Sequence, residues 1–84
     1  SEEVEVEAKF DPDLYEYFNA REWGQGAILE QREGYLYFRS TIKANEELAK
    51  WFIGFGAKAE VLSPPSFRAK IVELVQESMS VYGL

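Results

Sequence analysis

An α+β fold in the order β-α-β-β-α-β-α is predicted by three features of the chain. Its start alternates apolar and charged residues, its middle carries two β-rich runs joined at a glycine, and residues 44–82 read as helix, glycine stop, short strand, double proline, helix. At 84 residues a single domain is expected, near the size at which core burial only just offsets chain entropy. The 46% hydrophobic and 15% aromatic content argues for a dense core rather than a disordered tail.

Each element has a local cause. In VEVEAKF, Val4, Val6, Ala8 and Phe10 alternate with Glu5, Glu7 and Lys9, the period of a half-buried strand, while the first three residues are expected to fray. Asp11-Pro12-Asp13 then supplies a capping carboxylate, a proline at the first helical position and an acid at the positive end of the helix dipole. A helix over residues 12–20 follows, burying Leu14 and Phe18 with Tyr15 beside them. Trp23-Gly24-Gln25-Gly26 breaks it, with Trp23 expected to anchor the loop.

The run AILEQREGYLYFRSTI gives two strands joined by a two-residue turn at Glu33-Gly34, since glycine tolerates positive φ. That turn fixes the register: Arg32 opposes Tyr35, Gln31 opposes Leu36, Glu30 opposes Tyr37, Leu29 opposes Phe38 and Ile28 opposes Arg39. Leu29, Leu36, Phe38 and Ile42 then face the core; Ile28, Glu30, Arg32, Tyr35, Tyr37 and Arg39 face away.

Asn45 is placed to cap the next helix, with Glu46 and Glu47 in its first turn and Leu48, Trp51, Phe52 and Phe55 at helical spacing up to a left-handed stop at Gly56. The segment AKAEVL is a short strand, ended by Pro64-Pro65. A last helix over about residues 66–82 carries Phe67, Ile71, Leu74, Val75 and Met79 on one stripe. With right-handed crossovers, a βαββαβ core is a ferredoxin-like sandwich: a four-stranded antiparallel sheet in the order 4-1-3-2 with two helices on one face, and here an additional C-terminal helix.

Absent residue types bound the chemistry. Without Cys or His there is no thiol nucleophile, no thiolate or imidazole metal site and no Ser-His-Asp group within the chain. Carboxylates alone match no calcium-loop spacing, and an acylphosphatase-type reaction would need a phosphate-cradling loop where Phe10-Asp11-Pro12-Asp13 is acidic and glycine-free. No enzymatic activity, no cofactor and no metal are expected. Nine basic against fifteen acidic residues, net -6, disfavour nonspecific duplex binding. No apolar run is long enough to span a bilayer and the start lacks signal-peptide character, so a soluble, cytoplasmic protein is expected, with no membrane partner.

Two surfaces are candidate sites. Arg32, Tyr35, Tyr37 and Arg39 share the sheet face away from the helices, where aromatics and arginines could stack nucleotide bases, although the RNA-recognition signature is absent and Glu5, Glu7 and Glu30 share the face. A neighbouring domain, a second subunit or the last helix covering those rings is the competing use. The run Trp51-Phe52-Ile53-Gly54-Phe55 is apolar nearly all round, making Trp51, Phe52 and Phe55 a candidate interface, with Trp51 alternatively a core residue.

EGYLYFRSTI, EELAKWFIGFG and AEVLSPPSFRAKIVELV, with Tyr82 near the end, resemble the C-terminal extension (WCX) domain of WYL-domain bacterial transcriptional regulators. The matching residues are Gly34, Glu47-Leu48, Trp51, a glycine at 54 or 56, Glu60-Val61-Leu62, a proline at 64 or 65, and Phe67-Arg68 where the family tends to show Leu-Arg. The resemblance implies a module that helps dimerise, or completes ligand sensing in, a regulator whose winged helix-turn-helix binds DNA and whose WYL domain senses an effector. It implies a homodimer, contact with the parent's other domains, and DNA contact only through the parent. It also marks Arg68 as a candidate anion contact, able to hold carboxylate or phosphate. Neither the helix-turn-helix nor the WYL domain lies in these residues, so the chain is read as a fragment of a longer regulator. The other reading is a small-ligand or single-stranded nucleic-acid binder using the open sheet face.

Overall fold

The computed structural model describes residues 2–19 and 27–84. In chain order it contains β1 (Glu3–Phe10), a 3-10 turn (Pro12–Leu14), α1 (Tyr15–Asn19), β2 (Ile28–Arg32), β3 (Tyr35–Lys43), α2 (Glu46–Ile53), a second 3-10 turn (Gly56–Lys58), β4 (Ala59–Ser63) and α3 (Pro65–Val81). The strands form one antiparallel sheet in the order β2-β3-β1-β4.

The hairpin register is the one the two-residue turn dictates, from Ile28 opposite Arg39 to Arg32 opposite Tyr35. Glu33 and Gly34 both take positive φ, 53° and 81°, the turn whose twist matches that of the flanking strands. Asn45 caps α2 as expected, its side chain accepting from the Leu48 N–H at 2.9 Å.

The core forms where the alternating strand faces meet the helices. Val6, Ala8 and Phe10 of β1 and Leu36 and Phe38 of β3 are buried together with Phe18, Phe52, Val61 and Phe67. Phe10 is its hub, with ring centroids 4.4 Å from Phe18, 5.4 Å from Phe55, 5.8 Å from Phe52, 6.1 Å from Phe38 and 6.2 Å from Trp51.

Several local expectations need correction. The first helix is split: the Asp11 side chain accepts from the Asp13 N–H, and the Leu14 N–H reaches back three residues to the Asp11 carbonyl, so the first turn is 3-10 before α1 begins. Tyr15 turns outward while Tyr17 packs on Phe18 and Phe55. Helix α2 ends at Ile53, although Gly56 does take the left-handed conformation, φ 62°. The loop before β2, with Trp23 and the predicted helix end at Ala20, lies outside the described residues. Of the predicted α3 stripe, Phe67, Ile71 and Leu74 reach the core, whereas Val75 and Met79 stay exposed. Helix α3 therefore shares the layer of α1 and α2 and does not cover Tyr35 and Tyr37. Among the described residues no helix is long and apolar enough to cross a membrane.

Candidate functional site

The sheet face away from the helices is built by alternation. Because Phe10, Leu36 and Phe38 point inward, Lys9, Tyr35, Tyr37 and Arg39 point outward, and the hairpin register adds Glu30 and Arg32. The structure brings Arg32, Tyr35, Tyr37 and Arg39 onto one surface, as predicted from the register. Tyr35 is 42% exposed.

The rings are already engaged by cations. Lys9 Nζ lies 4.4 Å from the Tyr35 centroid and the Arg32 guanidinium 4.0 Å from that of Tyr37, contacts worth roughly 0.5–1 kcal/mol at exposed positions. Arg39 stands opposite Glu7 on β1, and among the described residues it makes no ion pair.

Beside Tyr35 the face continues into a charge chain. Glu60 of β4 stands opposite Lys9, with Nζ–Oε1 at 3.6 Å, and its second oxygen accepts from Arg68 Nη1 at 2.7 Å. The same Arg68 nitrogen donates to the Val61 carbonyl at 2.8 Å. Arg68 thus does contact an anion, a carboxylate of its own domain, and ties α3 to the edge strand β4. That hydrogen bond from Arg68, aided by the charges of Arg68 and Lys9 and opposed by partial desolvation, holds the Glu60 carboxyl below its ordinary value. Lys9 and Glu60 belong to the site, although from the sequence Lys9 stood only on the charged side of the first strand and Glu60 only in the family pattern. The alternation that put Lys9 outward was the available signal; the pairing across three elements was not.

The aromatic run of α2 corrects a further expectation. Phe52 is only 2% exposed, and Trp51 and Phe55 pack on the core, meeting each other at 5.0 Å and Phe18 at 6.3 and 6.1 Å. These rings fill the space above Phe10, so Phe52 offers no interface. Uncovered apolar surface lies beside α3, where a groove of about 440 Å³ is lined by Ile53, Val61, Ile71, Val72 and Val75, with Glu60 and Arg68 also on its wall, and a second groove of about 420 Å³ is lined by Phe38, Ile42, Leu48 and Trp51. Among the described residues no group of three acidic side chains is arranged to hold a metal ion.

Comparison with protein families bears on what these surfaces serve. A family model described as the WCX domain matches residues 2–79. The chain belongs to the WCX domain family. A search of curated proteins found no match. The match takes in every strand of this WCX domain, the Lys9–Glu60–Arg68 chain, and α3 as far as Met79.

Proposed function

We propose that this WCX domain is a non-catalytic regulatory and dimerisation module of a larger transcriptional regulator, joined to WYL and winged helix-turn-helix domains and assisting effector sensing in the cytoplasm. The family match over residues 2–79 carries the reading. The sheet order β2-β3-β1-β4, with a helical crossover after β1 and another after β3, supports assigning the fold as ferredoxin-like. The net charge of -6 is consistent with DNA being held by another domain of the parent. In the parent regulator, deleting the equivalent of residues 2–79 is expected to abolish the effector response of operator binding. An intact response would reject the reading.

The exposed Tyr35 ring and Arg39, which makes no ion pair among the described residues, favour one secondary reading, a single-stranded nucleic-acid or nucleotide contact on the open face. Such a ligand must displace Lys9 and Arg32 from the rings or stack outside them. Tyrosine fluorescence unchanged at millimolar nucleotide would eliminate it.

A further inference from the structure

Where β1 ends beside the start of β4, a pocket of about 280 Å³ opens between Lys9, Asp11, Tyr35, Lys58 and Glu60. By backbone position its charges alternate: Lys9 stands opposite Glu60, and Asp11, two residues on, donates its N–H to the Lys58 carbonyl at 2.9 Å. Like charges therefore lie on the diagonals. The pairings among these groups leave capacity unused. At 3.6 Å from Glu60 the Lys9 ammonium attracts as a charge without a close hydrogen bond, while the other Glu60 oxygen is held by Arg68 at 2.7 Å. Asp11 Oδ1 accepts from the Asp13 N–H at 2.8 Å, and no hydrogen bond engages its second oxygen among the described residues. Lys58 reaches Asp13 at 3.2 Å, in a pair that is mostly exposed.

We propose that this pocket binds a free α-amino acid, its carboxylate held by Lys9 and Lys58 and its ammonium by Asp11. This rests on the effector-sensing reading above and names the ligand class. Two lysines and two carboxylates facing one space match a molecule that carries both signs, since a lone anion meets Asp11 and Glu60 and a lone cation meets the lysines. A zwitterion also has no net charge, so the net -6 of the chain does not oppose its approach as it opposes a nucleotide's. Size points the same way. Sites for drug-sized ligands begin at ~300 Å³, so a space of about 280 Å³ suits a small metabolite and leaves much of a nucleotide outside. Tyr35, 42% exposed, supplies the wall on which the ligand's side chain rests, and Lys9 Nζ, 4.4 Å from that ring's centroid, is steadied beside the pocket. The charged groups are partly exposed, which weakens each contact and sets the affinity in the millimolar range.

Amide NMR of the domain, titrated with each standard L-amino acid in turn, is expected to find at least one that shifts the Lys9, Asp11, Lys58 and Glu60 amides and saturates in the millimolar range. For that amino acid, the N-acetyl derivative, which lacks the ammonium, and the carboxamide, which lacks the carboxylate, are each expected to bind at least ~10-fold more weakly. Asp11→Asn removes the charge but keeps an acceptor for the Asp13 N–H, so circular dichroism is expected to be unchanged while the Kd rises at least ~10-fold. Lys9→Gln is expected to weaken binding similarly. The assignment is overturned if no amino acid gives saturable shifts at these amides, if the two derivatives bind as tightly as the free amino acid, or if both variants bind like wild type. Effector sensing stands or falls separately, on the deletion experiment in the parent regulator. Adenosine monophosphate shifting these amides where amino acids do not also overturns the zwitterion, and leaves the nucleotide reading in force.

Discussion

Phe10 sits where five aromatic rings from β3, α1, α2 and the turn after α2 converge, fully buried at the end of β1. Truncating it to alanine removes the centre of that cluster and leaves a cavity, a loss of about 3–5 kcal/mol. For a domain whose total stability is on the order of 5 kcal/mol, that approaches complete unfolding. A Phe10→Ala chain is expected to show little or no cooperative thermal transition by circular dichroism. Glu60 makes a smaller and pH-dependent contribution. Its carboxyl titrates lower in the folded chain than in the unfolded one, so its pairing with Arg68 is fully present above the ordinary carboxylate range and fades as pH falls through the lowered value. Both side chains are nearly half exposed, which limits the effect to below ~1 kcal/mol. Denaturant melts of wild type and Glu60→Gln are expected to differ at neutral pH and to converge in acid once the pH lies below the lowered folded value, where the carboxylate is protonated in both states. A gap that persists in acid would show that Glu60 acts through packing rather than charge.

Among the elements, the β2–β3 hairpin depends on one backbone conformation. Gly34 holds φ 81° with open space around the position a Cβ would take, so Gly34→Ala costs about 1 kcal/mol through backbone strain and not through a clash. A comparable loss, about 1 kcal/mol, is expected for Asn45→Ala, which strips the cap from α2. Urea titration of both variants tests these values. These were also the features legible in the sequence, because a two-residue turn and a capping side chain act through neighbours in the chain. The full hairpin register and the outward placement of Arg32, Tyr35, Tyr37 and Arg39 followed from the turn alone. What escaped was decided at a distance. The aromatic run of α2 looked like excess surface because nothing local reveals that Phe10 and Phe18 need those rings as packing partners. The stripe on α3 looked uniform because its periodicity cannot tell that the core accepts Phe67, Ile71 and Leu74 and leaves Val75 and Met79 outside. Lys9, Glu60 and Arg68 meet only because β4 docks beside β1 and α3 returns past β4.

At the scale of the whole molecule, a net charge of -6 on a body of 37 × 30 × 21 Å opposes any encounter between two copies. The Debye length falls from about 30 Å at 0.01 M salt to about 8 Å at 0.15 M, so at low salt most of the partner lies within reach of that repulsion and at physiological salt little of it does. A contact between copies made by apolar side chains lacks compensating long-range attraction. The dimer fraction of the isolated domain, measured by sedimentation at fixed protein concentration, is therefore expected to rise between about 0.01 M and 0.15 M NaCl. A nucleic-acid contact on the open face carries the opposite sign, because binding that releases counterions from phosphates weakens as salt increases. The same salt series thus separates the two uses of this domain: self-association strengthened by salt supports an apolar contact between copies. If the dimer instead weakens as salt rises, attraction between charged groups holds the copies together and the contact must be sought on the mixed-charge face of Lys9, Arg32 and Arg39.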